Sequence, residues 1–377
     1  LQPLLGIMTT KTDDFCPFPE KKFYEEIAAY AREKNMEVLV FFPESISFAT
    51  RSITGFIRQG DRWIRQKIPF PRMIYDRVFY NTEYYRKNKG TVRRFKRDST
   101  IHFLNRSLPN KWEVYRFLKQ FDELLPYLPE QELYKNPDQL IRWVKLKGDI
   151  ILKPINGGFG KGIYHLKFRD PITIEGRDSQ NQFFQETFKT TREALDFIIP
   201  KLNRQFLIQR YLNLNTSDGY PYDVRIFVQK NHKGVWQMIG KGVRVGPKNQ
   251  LTSNLHGGGR AIPFNSFIKQ NHPRKAEMIE SNINLLGNLL PRILETKYSP
   301  LFELGIDVGI DESGRAWLLE INAKPGRQIF NHIGDQKAYQ RVNRGPIDYA
   351  LYMLKEYEEG SNEYYKAYAT KNLLTEK

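Results

Sequence analysis

Glu303-Leu304-Gly305-Ile306-Asp307-Val308-Gly309-Ile310 and Trp317-Leu318-Leu319-Glu320-Ile321-Asn322-Ala323-Lys324-Pro325-Gly326 flank the turn Asp311-Glu312-Ser313-Gly314. Two apolar runs around a Gly-containing turn predict an antiparallel hairpin. Asp307 falls in its first strand. Glu320 and Asn322, two apart on the second, share a face. Two carboxylates and an amide oxygen in an otherwise apolar hairpin are costly to bury unpaired. A hard divalent cation resolves that cost, because Mg²⁺ takes oxygen ligands and shares them with phosphates. Hydrogen bonds, or pairing with Arg315 or Arg327, resolve it too, and the hairpin alone does not separate these readings.

Upstream, Asp149-Ile150-Ile151-Leu152-Lys153-Pro154 reads as an apolar strand ending in Lys-Pro. Ile155-Asn156-Gly157-Gly158-Phe159-Gly160-Lys161-Gly162-Ile163-Tyr164 follows it. Glycines this dense let the backbone approach closely and turn N–H groups toward an anion. The run is not a Walker loop, which needs Gly-Lys-Ser/Thr opening a helix. Strand-like sequence follows it, so it is not a dinucleotide fingerprint either. Alone it is equally a flexible hairpin turn. With a lysine on the preceding strand and the carboxylate hairpin downstream, it reads as a lid over ATP phosphates.

These motifs together resemble the ATP-grasp ligases over roughly Lys111 to Gly326. The shared order is Lys-Pro with a glycine loop, a hinge strand, an Asp-x-Arg strand, then an Asp…Glu-x-Asn metal hairpin. Phe206-Leu207-Ile208-Gln209-Arg210-Tyr211-Leu212 matches the hinge strand. Tyr222-Asp223-Val224-Arg225-Ile226-Phe227-Val228 matches the strand whose Arg reaches the phosphates. Gly240-Lys241-Gly242-Val243-Arg244-Val245-Gly246 is similar to the next, with a second Arg, and Asn254-Leu255-His256-Gly257-Gly258-Gly259 to the turn after it. Leu5-Gly6-Ile7-Met8-Thr9-Thr10, Tyr75-Asp76-Arg77-Val78, Asn110-Lys111-Trp112 and Ile321-Asn322-Ala323-Lys324-Pro325-Gly326 resemble the spore-coat-associated ATP-grasp proteins of endospore-forming bacteria. The glycine loop and hairpin are also similar to those of ribosomal-protein glutamate ligases.

The resemblance implies ATP and Mg²⁺, and an ADP-forming carboxylate–amine ligase working through an acylphosphate. It implies Asp307, Glu320 and Asn322 on the metal, and Lys111 and Lys153 on phosphates. Gly157, Gly158, Phe159, Gly160 and Gly162 would form the lid. Gln209, Arg210, Tyr211 and Leu212 would line the adenine edge, with Leu319 under the ring. Arg225 and Arg244 would be catalytic. Asn254, His256, Lys324 and Arg327 are candidate substrate contacts. Each has a plainer alternative: a surface lysine at a helix start for Lys111, an ion pair with Asp223 for Arg225, a carboxylate elsewhere on the sheet for Arg244. A turn histidine for His256 and a solvated rim for Lys324 and Arg327 complete the set. The acceptor would be an amino acid, a peptide or an acidic protein, with spore-coat proteins as further partners. A non-catalytic ATP-binding coat protein and an ATP-grasp kinase are the alternative functions.

The chain of 377 residues is too long for one simple core, and 40% apolar with 14% aromatic residues describes a folded globule. Cys16 is the sole cysteine, so no intramolecular disulfide forms within it, which suits a reducing cytoplasm. Nothing around Cys16 marks a nucleophile. No run approaches a membrane span and no secretory signal opens the sequence. It begins at Leu1 instead of Met, which leaves room for native residues before it. The net charge of +17 is the anomaly. Part of it lies in Tyr84-Tyr85-Arg86-Lys87-Asn88-Lys89-Gly90-Thr91-Val92-Arg93-Arg94-Phe95-Lys96-Arg97. That run reads as a solvated, mobile face, as a surface for an acidic polypeptide, or, with its Tyr and Phe, as a nucleic-acid contact. No helix-turn-helix or zinc-finger motif supports the last.

The expected fold is α/β (α+β), an ATP-grasp fold with a βαβ pre-ATP-grasp domain and two α+β subdomains clasping ATP. The βαβ start comprises Leu4 to Met8, Phe23 to Lys34 and Glu37 to Phe42. Gly55 to Trp63 reads as a hairpin and Met73 to Phe79 as a strand. A helix over Lys111 to Phe121 would turn Trp112, Tyr115 and Leu118 to one side, capped by Asn110. Pro137 to Lys147, Lys275 to Lys297 and Ile347 to Glu358 are further helices. Boundaries follow at 1–105, 106–208 (glycine-rich loop), 209–358 (metal hairpin) and a polar tail at 359–377.

Overall fold

Near-continuous apolar runs near the N-terminus, buried on both faces, build a parallel core. The computed structural model describes residues 2–12, 18–79, 82–157, 160–178, 180, 182–203, 205–248, 251, 253 and 258–373, with side chains of the last helix up to Tyr357. The strands are β1 (Leu4–Thr9), β2 (Glu37–Phe41), β3 (Ile46–Ser47), β4 (Ser52–Gln59), β5 (Arg62–Pro69), β6 (Met73–Arg77) and β7 (His102–Phe103). They run in the order β3-β4-β2-β1-β6-β7, with β5 paired to β4. β2, β1, β6 and β7 are mutually parallel. Helix α1 (Lys21–Glu33) covers one face with Phe23, Tyr24 and Ile27, and α2 (Thr82–Lys96) covers the other with Val92 and Phe95.

α2 is the basic stretch. Its charges conceal a helix whose inner side is fully buried at Phe95 and nearly so at Val92. The expectation of a mobile face is therefore corrected: apolar residues three apart anchor the segment to the sheet.

Next come α3 (Lys111–Leu118), β8 (Gln131–Leu133), α4 (Pro137–Lys147), β9 (Asp149–Pro154), β10 (Tyr164–Lys167), β11 (Ile172–Arg177), β12 (Phe183–Phe188), α5 (Thr191–Ile198) and β13 (Phe206–Arg210). Asn110 caps α3: its Oδ1 accepts from the Glu113 backbone N–H, and its side-chain Nδ2 donates to the Glu113 carboxylate. The core face of α3 is Val114, Phe117 and Leu118; of the expected trio Leu118 lies there, while Trp112 and Tyr115 stack on each other instead. Asn136 caps α4, Pro137 occupies its first turn and Gly148 ends it in a positive-φ conformation. The strands form a six-stranded sheet ordered β12-β11-β10-β9-β13-β8.

The third sheet comprises β14 (Tyr222–Lys230), β15 (Trp236–Val245), β16 (Arg260–Pro263), β17 (Glu303–Ile310) and β18 (Ala316–Asn322), ordered β16-β15-β14-β17-β18. Helices α6 (Phe264–Asn271) and α7 (Ala276–Tyr298) pack on its apolar face, where Val224, Ile226, Ile306 and Val308 meet Ile279, Ile283 and Leu286. Met278, expected on that side of α7, is exposed. Helices α8 (Gln328–His332) and α9 (Gln336–Leu373) cover part of the opposite face around Phe227. The helix expected at Ile347 belongs to α9, which starts at Gln336, contains Pro346 and continues to Leu373 through the segment expected as a tail. α9 also joins the N-terminal core through Ile347, Tyr349 and Ala350. Among the described residues no helix is long and apolar enough to cross a membrane.

Candidate active site

The face of the third sheet left open by α8 and α9 carries a row of charge. Strand register places Asp223 opposite Arg244, Arg225 opposite Asp307, and Asp307 opposite Glu320. Directly opposed residues share a face. Arg225 grips Asp307 with two bonds, Nε to Oδ1 at 2.5 Å and Nη2 to Oδ2 at 3.0 Å. Arg244 Nη2 reaches the same Oδ2 at 3.0 Å. It also donates to Asp223, Nε to Oδ1 at 2.7 Å and Nη2 to Oδ2 at 2.8 Å. The Ser253 hydroxyl completes Asp223. Burial pushes the Asp307 carboxyl up, yet Arg225 and then Arg244 overcome this and hold it below the usual carboxylate range. Bidentate Arg–carboxylate geometry gives this cluster direction as well as charge.

A β-bulge decides where Glu320 points. Val308 pairs with Leu318, but Asp307 pairs with Glu320, so Leu319 is the extra residue. Leu318 lies in the core beside Val308. One inserted residue shifts the phase of a strand and turns the following side chains over. Glu320 thereby joins Asp307 on the charged face, and Asn322 falls opposite Gly305. A Cβ on Gly305 would lie 2.7 Å from Pro325 Cβ and 3.3 Å from Arg225 Nη1. Glycine there leaves Arg225 its path to Asp307.

The second sheet contributes the lysines. Lys111 opens α3, and its backbone N–H donates to Ile155 O at 3.2 Å. Its ammonium donates to Gly157 O at 2.7 Å and lies 3.1 Å from Glu320 Oε1. Lys153, near the end of β9, donates to Gln209 Oε1 at 2.6 Å. Burial first, then the neighbouring Lys111, pushes the Lys153 ammonium down to about 8, with Glu320 acting against them. Gly157, Gly160 and Gly162 have φ of +133°, +75° and +72°, conformations that side-chain-bearing residues rarely adopt. On the hinge, Gln209 is buried, and the amides of Arg210 and Tyr211 donate to Glu130 and Asp149 carbonyls. Leu212 lies beyond the strand, and Leu212 and Leu319 are half-buried.

The structure thus brings Lys111, Lys153, Gln209, Glu320, Asp307, Arg225 and Arg244 into one connected set. Lys324 and Arg327 stand apart from it. Lys324 donates to Asp76 Oδ1 at 2.7 Å and to Val78 O at 2.9 Å. Arg327 is 3% exposed and donates to Glu303 Oε2 at 2.6 Å and to the Tyr75 hydroxyl. Gly158, Phe159, Asn254, His256 and Cys16 lie outside the described residues.

Sequence reasoning missed His165. It lies opposite Ile151 on β10, 1% exposed, with Nδ1 3.0 Å from Glu175 and its ring stacked 4.0 Å from Tyr211. Its Nε2 is buried without a hydrogen-bond partner among the described residues. A histidine inside an apolar-alternating strand was the available signal. The described residues hold no group of three or more His, Cys, Asp or Glu placed for a metal. The hairpin set is instead two carboxylates and an amide, oxygen donors of the kind Mg²⁺ takes. Lys111, Arg225 and Arg244 balance those carboxylates here, and a dication would replace part of that charge.

Residues 100–353 match the family described as YheC/D like ATP-grasp. The chain is 32% identical over 346 residues to the endospore coat-associated protein YheC of Bacillus subtilis (strain 168), covering 89% of this chain and 93% of that one. It is 26% identical to endospore coat-associated protein YheD of the same organism over 93% of this chain and 79% of that one. N5-carboxyaminoimidazole ribonucleotide synthetase from Thermotoga maritima shares the fold, with TM-score 0.50, 11% identity, and coverage of 92% and 76%. The chain belongs to the YheC/D-like ATP-grasp family, within the ATP-grasp ligase superfamily.

Proposed function

We propose that the protein is an ATP-dependent, ADP-forming carboxylate–amine ligase that makes an amide bond on an amino acid, peptide or protein. The observation that carries this reading is the Lys111 ammonium, which touches both Gly157 O in the glycine loop and Glu320 in the carboxylate hairpin. A lysine that joins a phosphate-cradling loop to a metal-type carboxylate has a natural place beside a nucleotide's terminal phosphates.

In this reading Asp307, Glu320 and Asn322 hold Mg²⁺. When bound, the metal would supply positive charge to offset that of the phosphates. Lys111 and Lys153 hold phosphate oxygens, and the glycine loop closes over them. Gln209, Arg210, Tyr211 and Leu212 border the adenine, with Leu319 beneath it. An acid's carboxylate attacks the γ-phosphorus, ADP leaves, and an acylphosphate forms. An amine then attacks the acyl carbon and inorganic phosphate departs, with the amine's proton passing to solvent. Arg225 and Arg244 neutralise the oxyanions of both steps, so their work is positioning and charge. The first part spans 1–105; the second runs from 106 through β13, which ends at Arg210, instead of stopping at 208, and the third continues past 358 along α9. The names of YheC and YheD, both endospore coat-associated proteins, support a role connected with the spore coat.

The test is ADP and phosphate release by the purified chain with MgATP, offered pooled amino acids and then acidic peptides. Release that depends on a given acid and amine, with a mass gain matching condensation, is the expected result. Phosphate retained on the acceptor would replace this reading with a kinase. ATP binding without turnover on acceptors from sporulating cells would replace it with a scaffold.

A further inference from the structure

We propose that the outward face of α2 is a docking strip for an acidic polypeptide segment, leading its carboxylates to the cleft; this rests on the ligase reading above. Residues 84–97 hold seven basic and no acidic residues. Arg86, Lys87, Arg93 and Arg94 are exposed on the folded helix, and Arg97 is exposed in the turn just after it. With 3.6 residues per turn, Arg86 and Arg93 fall within about 20° of one another, opposite buried Phe95, and Arg97 follows in the turn after the helix. Like charges three and four apart repel along a helix. Here Val92 and Phe95 hold the helix in place against that repulsion, and a polyanion would relieve it.

The position of the strip favours a substrate over a general solvated face. Parallel sheets bind ligands beyond the C-terminal ends of their strands. α2 spans that edge. At one end the Tyr84 hydroxyl donates to Glu44, just past β2, at 2.8 Å. At the other, Lys96 donates to Asp76, near the end of β6, at 2.7 Å. Asp76 is fully buried and also accepts from Lys324 at 2.7 Å. Lys324 stands two residues past Asn322 of the hairpin. The basic strip therefore ends against the segment that follows the proposed metal ligands. A helix of this length is about 22 Å long, which matches roughly six or seven residues of extended peptide.

Polypeptide is favoured over nucleic acid by what the strip lacks. Binding of single strands relies on aromatic faces open to bases. Phe95 is buried, the Tyr84 hydroxyl is engaged, and Tyr85 is half-buried with Lys89 lying 5.8 Å over its ring. Of the acids near the strip, Asp98 pairs with Arg51 at 2.9 Å and Glu44 accepts from Tyr84, while Glu83 is exposed in the first turn of α2.

The experiment is fluorescence polarisation of a labelled oligoglutamate peptide with the full chain, repeated with the triple variant Arg86→Glu, Arg93→Glu, Arg97→Glu. The expected result is salt-sensitive binding that weakens on the order of tenfold or more in the variant. ATP affinity by calorimetry should be unchanged. The triple Gln variant, which removes charge without reversing it, should weaken binding by a smaller factor, and it decides the matter if charge reversal disturbs folding. Equal peptide affinity in wild type and the Gln variant would overturn the proposal. So would a single-stranded oligonucleotide that binds more tightly than oligoglutamate at equal salt. Peptide docking that needs α2 but is never followed by condensation would count against the ligase reading and leave the docking strip standing.

Discussion

Strand β17 carries two carboxylates on one face, Glu303 and Asp307, and they live in different worlds. Glu303 lies opposite Gln229, at the end covered by α8, α9 and the N-terminal sheet. It is 0% exposed and accepts from Tyr75, Arg77, Arg327 and Gln229. Asp307 lies at the end left open, held by Arg225 and Arg244 beside Glu320. Both are buried acids with arginine partners. What separates them is whose partners they are: Tyr75 and Arg77 come from the first sheet, whereas the partners of Asp307 come from strands of its own sheet. Glu303 fastens two parts of the molecule together. Asp307 stands where a ligand's charge can compete for its arginines.

The sharpest way to break this comparison is to truncate each acid in turn. Glu303→Ala leaves Arg327 and Arg77 buried beside a hole, and removing one partner of a buried pair costs about 3–5 kcal/mol. A lowered denaturant midpoint is expected, and an unchanged one would end the fastening role. Asp307→Asn should cost less stability, because Asn keeps one acceptor oxygen for Arg225 and Arg244 keeps Asp223. Its expected effect is on turnover, a loss on the order of 10²–10³-fold, typical of removing one charged contact to a reacting group. Full Mg-dependent activity in Asp307→Asn would refute its proposed place at the metal.

Half of this contrast was readable beforehand. Asp307, Glu320 and Asn322 stand out because a polar residue breaks an apolar alternation. The bulge did not show, since Leu318 and Leu319 are both apolar and a phase shift between them leaves no mark. Counting by twos from Leu318 would put Glu320 in the core. Glu303 looked like the plain start of a strand, because its partners Tyr75 and Arg77 are more than 200 residues away. Arg327 read as a substrate contact or a solvated rim for the same reason, and its burial depends on contacts that only the folded chain makes. In α2 the charges drowned a helical period carried by Tyr84, Asn88, Val92 and Phe95.

Between the two acids sits Gly305, which offers a way to sharpen the comparison without touching a charge. A methyl group there must displace Pro325 or the Arg225 guanidinium. Overpacking of this kind costs about 1–3 kcal/mol. Gly305→Ala is expected to lower the melting temperature modestly and to reduce turnover as well, because Arg225 loses its seat on Asp307. Reduced stability with unaltered turnover would mean that Pro325 alone gives way and that the two acids are mechanically independent.

Lys153 gives the smallest and most graded effect. The Asp307 end is open enough for a ligand but dry enough to push this lysine down to about 8 from its usual 10.5. Below about pH 8 it is charged and can hold a phosphate. As pH rises through 8 it loses its proton in the nucleotide-free protein, and ATP must then bind with uptake of one proton. Affinity for ATP should accordingly fall about tenfold per pH unit above 8, until the unfavourable protonation is no longer worth making. The sign for folding is opposite: between about 8 and 10.5 the unfolded chain holds this proton more firmly, so Lys153 adds stability as pH rises across that window. Calorimetry in buffers of different ionisation enthalpy reads the proton uptake directly. Lys153→Ala should weaken ATP at neutral pH and flatten the dependence above pH 8; an equally steep slope in that variant would assign the proton to another group and detach Lys153 from the phosphates.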